Sequence, residues 1–410
     1  MKRFALFAIA AAAAAQQKYD LLLDNGHVID PKNNIDRVMD VAVADGKVAL
    51  VAPAIQPSDA RRVVNVGGLY VTPGLIDLHV HVYMRPEMGS PSSSVQPDAH
   101  SFRSGVTTVV DAGTSGWKDF AGFRKRVIDP ARTRVLALLN ISSVGMGAGK
   151  EDDPKAFDIE GLVRTARENK DVVVGIKSAH YAGPGWESVE AAVKAGNQAG
   201  LPVMVDFGYL NKIRNISTLL LDKLRPGDIY THCYSGHREE ILDDGKVNPA
   251  MVAARKRGVL FDVGHGAGSF YWYVAIPAYA QGFPPDTIST DLHTGSMNAG
   301  MKDMTNVMAK ILNLGSPIGD VIRMSTWSAA SAIKRPDLGH LTAGGEADIA
   351  VLRVDNGDFG FIDSAGAGHR GRRNIVCELT LRKGRPVWDL NARAAENWQS
   401  FPYQKKPWTK

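Results

Sequence analysis

The chain has 410 residues, 44% apolar and 22% charged, which is ordinary for a globular protein and long enough for one large domain with a smaller companion. A net charge of +5, with no basic stripe interleaved with aromatics, offers no argument for nucleic acid as a partner. Cys233 and Cys377 are the only cysteines and fall in separate segments, so a disulfide scaffold is excluded.

In chain order, Lys2 and Arg3 come first, then Phe-Ala-Leu-Phe-Ala-Ile and an alanine run ending at Ala15. This is the order of a cleavable secretory signal peptide over 1–15. Its apolar stretch is shorter than the roughly 18–20 residues that span a bilayer. No cysteine follows the cut, and no twin arginine precedes it. The expectation is a periplasmic or secreted protein, free of the membrane after cleavage, with net charge lowered to +3 by loss of Lys2 and Arg3.

Short alternating segments with tight turns, such as Asp24-Asn25-Gly26 and Ala44-Asp45-Gly46-Lys47, occupy 19–72. From 73 to 335 the pattern changes. Apolar, β-branched runs recur at 75–82, 106–113, 134–142, 172–179, 202–208, 229–235, 259–266 and 287–294, with helical spacing between them, as in Trp186 to Val193. Parallel strands buried on both faces read as such runs, and eight of them alternating with helices predict a (β/α)8 barrel, the TIM-barrel fold. Alternation of the first kind resumes over 340–392, so 19–72 and 340–392 are expected to pair into one small β-sandwich. The tail, 393–410, places Trp398, Phe401, Tyr403 and Trp408 among Lys405, Lys406 and Lys410. That composition suggests docking on the body or on a second subunit of a homo-oligomer.

The first barrel run, Gly-Leu-Ile-Asp-Leu-His-Val-His, ends in His79 and His81. Side chains at i and i+2 of a strand share a side, so the pair can act as a metal clamp. Later runs end in further ligand types: Lys177, Asp206, His232 and Asp291. Polar residues closing buried strands by chance account for one or two of these but not six, and barrel chemistry sits at the C-terminal strand ends. The stretch Gly264-His265-Gly266-Ala267-Gly268 lies on the seventh run, whereas a dinucleotide loop belongs to the first strand of a βαβ unit. It is expected to be a flexible loop whose amides approach substrate, with His265 and Gly266 as substrate contacts. His180, Tyr181, His237 and His293 are expected at the pocket rim.

Through GLIDLHVH, VVGIK, GLPVMV, RPGDIYTHC, GVLFDVGHGAGSF and ISTDLHT, residues 20–390 resemble the metal-dependent amidohydrolase superfamily, nearest its amidohydrolase/deacetylase (dihydroorotase-like) branch. The resemblance implies two divalent metal ions, zinc first and manganese as the alternative. His79, His81, His232 and Asp291 would be ligands, and a carbamate on Lys177 would bridge the metals. It further implies attack by a metal-bound hydroxide, with Asp291 as catalytic proton acceptor. One position departs: where the family has histidine on the fifth strand, this chain has Asp206. As a ligand, Asp206 would lower the charge of the centre by one unit and favour oxygen-preferring ions. Otherwise it would cap the next helix or pair with Lys212 or Arg214.

The implied function is hydrolysis of an amide, or an ester, of a small acylated acid, deacetylase-like. A cyclic amide hydrolase of dihydroorotase or hydantoinase type shares every ligand. A deaminase fits less well, since Lys177 has no role in a single-metal deaminase site. A non-catalytic exported binding protein on the same scaffold is the alternative from another class.

Overall fold

The computed structural model describes residues 17–84, 93–146, 151–206 and 214–404. The leader 1–15, Lys212 and the tail from Lys405 onward lie outside the described residues.

Strands β1 (Leu21–Asp30), β2 (Ile35–Ala44), β3 (Lys47–Ala52), β4 (Val63–Asn65) and β5 (Tyr70–Pro73) come from the N-terminal segment. Seven parallel strands follow: β6 (Leu75–Val80), β7 (Val106–Ala112), β8 (Arg134–Asn140), β9 (Val173–Ser178), β10 (Val203–Val205), β11 (Ile229–Tyr230) and β12 (Leu260–Phe261). Strands β13 (Ile349–Ile362), β14 (Gly368–Arg382) and β15 (Arg385–Asp389) complete the chain.

The two terminal segments form one eight-stranded sheet in the order β15-β14-β13-β5-β1-β2-β3, with β4 on β1. Val48 of β3 also exchanges hydrogen bonds with Gly344 and Gly345 (2.8 and 2.9 Å), so this edge returns to the chain just ahead of β13. Leu21, Leu23, Val41 and Val71 share a core with Ile349, Val351, Leu379 and Leu381, which neither segment could bury alone. Arg134 at the start of β8 and Arg382 of β14 both hold Asp348 at 2.8 Å and tie this sheet to the barrel.

In the barrel, β6 to β12 pair in sequence order. The eighth run is not a regular strand. Its residues still close the ring: Val263 N donates to Thr287 O on one side, and His81 N donates to Leu292 O on the other. Asp77 of β6 accepts from Thr290 N at 3.0 Å and from the Thr290 hydroxyl. Strand faces carrying Val109, Val135, Leu139 and Val203 pack on helices Ile159–Glu168 and Glu187–Ala199 through Leu162, Val189 and Ala192. The latter helix ends at Gly200, whose φ of +71° terminates it.

Strands β11 and β12 are shorter than the sequence suggests because the backbone turns left-handed beyond them, at His232 (φ +62°) and at Gly264 (+47°) and Gly266 (+58°); His180 (+53°) and Asp291 (+51°) make the same turn at the rim. An apolar run shows burial but not this change of backbone region, which is uncommon for non-glycine residues and concentrates at functional sites.

No described helix is long and apolar enough to cross a membrane. Cys233 and Cys377 are free and buried. The tail is docked as far as Glu396 through Arg62, which donates to Ala394 O (2.7 Å) and pairs with Glu396 (2.8 Å). Beyond that point Trp398, Phe401 and Tyr403 are exposed.

Candidate functional site

The C-terminal ends of the barrel strands bring His79, His81, Lys177, Asp206, His232 and Asp291 together. Ligand-type atoms of His79, His232 and Asp291 lie within 4.8 Å of one another. His81 Nε2 is 3.1 Å and His79 Nε2 3.6 Å from Asp291 Oδ1. Lys177, 0% exposed, directs Nζ to His79 Nε2 at 3.1 Å and to Met204 Sδ at 3.6 Å.

The imidazoles are oriented from behind. The Thr231 hydroxyl donates to Asp262 at 2.8 Å, so it accepts from His79 Nδ1–H at 3.1 Å and leaves the Nε2 lone pair facing the centre. Asp262 also accepts from Thr287 (2.7 Å) and Ser289 (2.6 Å), which joins the backing of the sixth, seventh and eighth strands. His232 Nδ1 donates to Gly264 O, again freeing Nε2. His81 Nδ1 meets Thr114 Oγ1 at 2.8 Å. Asp111 positions that pair by accepting from the backbone N–H groups of Val82 (2.9 Å) and Thr114 (2.8 Å). Metal-binding histidines are held this way, one nitrogen fixed by the protein and the other offered to the ion. Thr114, Thr231, Asp111 and Asp262 escaped the sequence reading. The signal was present in Asp111 and Asp262, carboxylates inside otherwise apolar strands.

Electrostatics agree with a cation-binding role. Burial, and then the neighbouring Lys177, hold His79 well below the usual imidazole range, so it is a neutral donor. Burial also pulls the Lys177 ammonium down, and Lys177 makes no ion pair with a described carboxylate. A fully buried lysine amine among imidazole and carboxylate ligands is the chemistry that carbamate formation requires. Burial opposes a charge on Asp291, but the imidazoles beside it, His81 by hydrogen bond among them, hold its carboxyl well below the usual carboxylate range. The donors present therefore fit divalent ions: imidazole nitrogens, carboxylate oxygens and an amine that carbon dioxide could convert to a two-oxygen anion.

Asp206 stands at the end of β10 with Oδ2 3.2 Å from His232 Nε2 and 3.6 Å from His180 Nε2. Its other oxygen, Oδ1, is 2.6 Å from Arg238 Nη2. Arg238, a residue the sequence reading did not consider, is thus a cationic partner of Asp206, beside His180, whose pKa is raised to about 9 chiefly by its hydrogen bond to Glu151. Arg214 donates to the carbonyls of Tyr181 and Gly183. Although burial opposes it, the neighbouring His232 and the guanidinium of Arg238 hold Asp206 well below the usual carboxylate range.

His265 is not a substrate contact. It is 0% exposed, its ring stacks on Phe270 at 4.7 Å, Nδ1 bonds Gly266 O at 2.9 Å, and Nε2 faces Lys310 Nζ at 2.6 Å. The backbone N–H groups of Gly264, His265 and Gly266 are likewise taken up inside the barrel, by Ser289 Oγ, Ser289 O and Thr290 O. Gly266 instead lets the backbone approach Asp291: a Cβ there would stand 2.6 Å from Asp291 Oδ2. At the rim, His180 is exposed, Tyr181 is buried with its hydroxyl on Glu187 (2.8 Å), and exposed His237 bonds Gly268 O. His293 caps the short helix Thr294–Met297, 4.0 Å from Asp291.

A family model described as the amidohydrolase family matches residues 274–372. A deacetylase of Agrobacterium fabrum is 34% identical over 80% of this chain and 81% of its own length. Among solved structures, an adenine deaminase superposes with TM-score 0.81 and 29% identity over 90% of this chain and 100% of that one. For a dihydroorotase the values are 0.77 and 30%, over 90% and 99%.

Proposed function

The chain belongs to the amidohydrolase family and is a hydrolase acting on carbon–nitrogen bonds, and from that premise we propose a deacetylase-like reaction on the amide of a small acylated acid. Members of this family generally use a divalent metal. Here His79, His81, His232 and Asp291 would hold it, with Lys177 as a carbamate joining two ions and Asp206 facing the second. Bound there, divalent ions would polarise the scissile carbonyl and lower the pKa of water.

The protein's part follows from its own groups. Carbamate formation needs the free amine that burial favours at Lys177: the nitrogen attacks carbon dioxide, a proton leaves to solvent, and an anion replaces an otherwise costly buried cation. Asp291, beside His79 of β6 and His81 just after that strand, accepts the proton of the attacking water and returns it to the nitrogen as the carbon–nitrogen bond breaks. Acid and amine are the products. The observation that carries this reading is the convergence on Asp291 Oδ1 of His81 Nε2 (3.1 Å) and His79 Nε2 (3.6 Å) above the buried Lys177.

Support for the acyl substrate comes from the deacetylases of Agrobacterium fabrum and two further bacteria among the relatives. The dihydroorotase and adenine deaminase likenesses keep ring opening and deamination as defined rivals, and the second weakens the use of Lys177 against a deaminase. Product analysis separates the three. Acetate and a free amine from N-acetyl amino acids support the proposal, whereas ring-opened hydantoin or ammonia from adenine, without acetate, contradicts it. We further propose that the protein is exported, on the strength of the order of residues 1–15. The N-terminus of periplasmic material, at or near Gln16, is the check.

A further inference from the structure

We propose that Arg238 is a built-in counter-charge for Asp206, so that the two present one neutral, one-oxygen ligand to the cations. This rests on the reading above that Asp206 faces them. Arg238 and Asp206 are both buried, and Nη2 lies 2.6 Å from Oδ1. The carboxylate is therefore divided: Oδ1 belongs to the guanidinium, while Oδ2 is turned to His232 Nε2 and His180 Nε2.

The guanidinium is fixed before any ion arrives. Its carbon sits 5.6 Å from the centroid of the Tyr230 ring, and Nη1 donates to Thr231 O at 3.3 Å. The Arg238 backbone N–H donates to Glu240 Oε2 at 3.1 Å, and Glu240 Oε1 accepts from Ser235 (2.7 Å) and Tyr230 (3.2 Å). The turn after β11 is thus pinned to the same strand that supplies His232.

Two consequences follow. Asp206 cannot chelate through both oxygens, because one is already saturated by a charge-assisted bond. The unit of negative charge it adds is cancelled next to the site, so this centre carries the charge it would have with a neutral residue there. Replacing the aspartate alone therefore does not restore a neutral-ligand site; it leaves a buried guanidinium facing the cations without its carboxylate.

The pair makes a charge ladder. Relative to wild type, Arg238→Met is one unit more negative, Asp206→His one unit more positive, and Asp206→His with Arg238→Met equal. Zinc affinity, measured by competition with a chromophoric chelator and accompanied by ions per chain, is expected to rank Arg238→Met tightest and Asp206→His loosest. Each step should be about tenfold or more, with the double variant within about threefold of wild type. Arg238→Lys keeps the charge and should also stay within about threefold of wild type, which covers the case in which Arg238→Met does not fold.

Wild-type zinc affinity in Arg238→Met, with the double variant no nearer wild type than Asp206→His, would overturn the pairing, as would a tenfold shift in Arg238→Lys. Asp206→Ala separates the two levels. Unchanged zinc content in that variant contradicts the reading that Asp206 faces the ions, while altered content together with unchanged zinc affinity in Arg238→Met contradicts the counter-charge alone.

Discussion

Nζ of Lys177 and Nε2 of His79 meet head to head at 3.1 Å inside the barrel rim. Thr231 takes the Nδ1 hydrogen of His79, so Nε2 accepts from Lys177 Nζ, while burial disfavours a charge on that nitrogen. Lys177→Ala is therefore expected to lose bound metal and turnover, with partial return on addition of short carboxylic acids that stand in for a carbamate. Unchanged metal content in this variant would refute the bridge.

Gly266 shows how closely the backbone is fitted around Asp291. With φ at +58° and a Cβ that would stand 2.6 Å from Asp291 Oδ2, Gly266→Ala should displace the carboxylate and strain the turn. The expected cost is about 1–3 kcal/mol in denaturant melts and a fall in turnover of the order of 10²-fold. A variant with wild-type stability and rate would show that this approach is unimportant.

Lys310 links His265, Gly300 O and Ile362 O, and so the barrel rim to the terminal sheet. Burial, and to a lesser degree Lys302, lowers its pKa from the usual 10.5 to about 7. Below that value both folded and unfolded chains hold the proton. Between it and 10.5 only the unfolded chain does, so this group makes stability rise with pH, by up to about 1.4 kcal/mol per unit. Lys310→Met should lack that slope when unfolding is measured from pH 7 to 10. Parallel pH profiles for variant and wild type would contradict the assignment.

Much of this was legible in the sequence because buried parallel strands announce themselves as apolar runs. All eight barrel positions were visible, and His79, His81, Lys177, Asp206, His232 and Asp291 were read from the ends of those runs. What escaped depends on backbone direction and on contacts between distant segments. The left-handed turns at His232 and Asp291 interrupt the extended runs that carry them. Arg238 reaches Asp206 across 32 residues from a loop with no periodic signal, whereas Lys212 and Arg214 were merely nearer in sequence. His265 looked like a rim residue until Lys310, on a helix 45 positions on, was seen to occupy its Nε2.

Asp291→Asn keeps the shape of the side chain and removes its ability to take a proton. The variant is expected to retain the fold and much of the metal while losing about 10²–10⁴-fold in rate. Turnover within twofold of wild type would rule out the proton-acceptor role.

Metal dependence of acyl hydrolysis tests the account at its centre. Acetate release from N-acetyl amino acids should be followed in purified protein, in protein stripped by a chelator, and in stripped protein resupplied with zinc or manganese. The account predicts that release disappears on stripping and returns with added ions. Acetate release that persists at full rate in protein shown to be free of metal would contradict it.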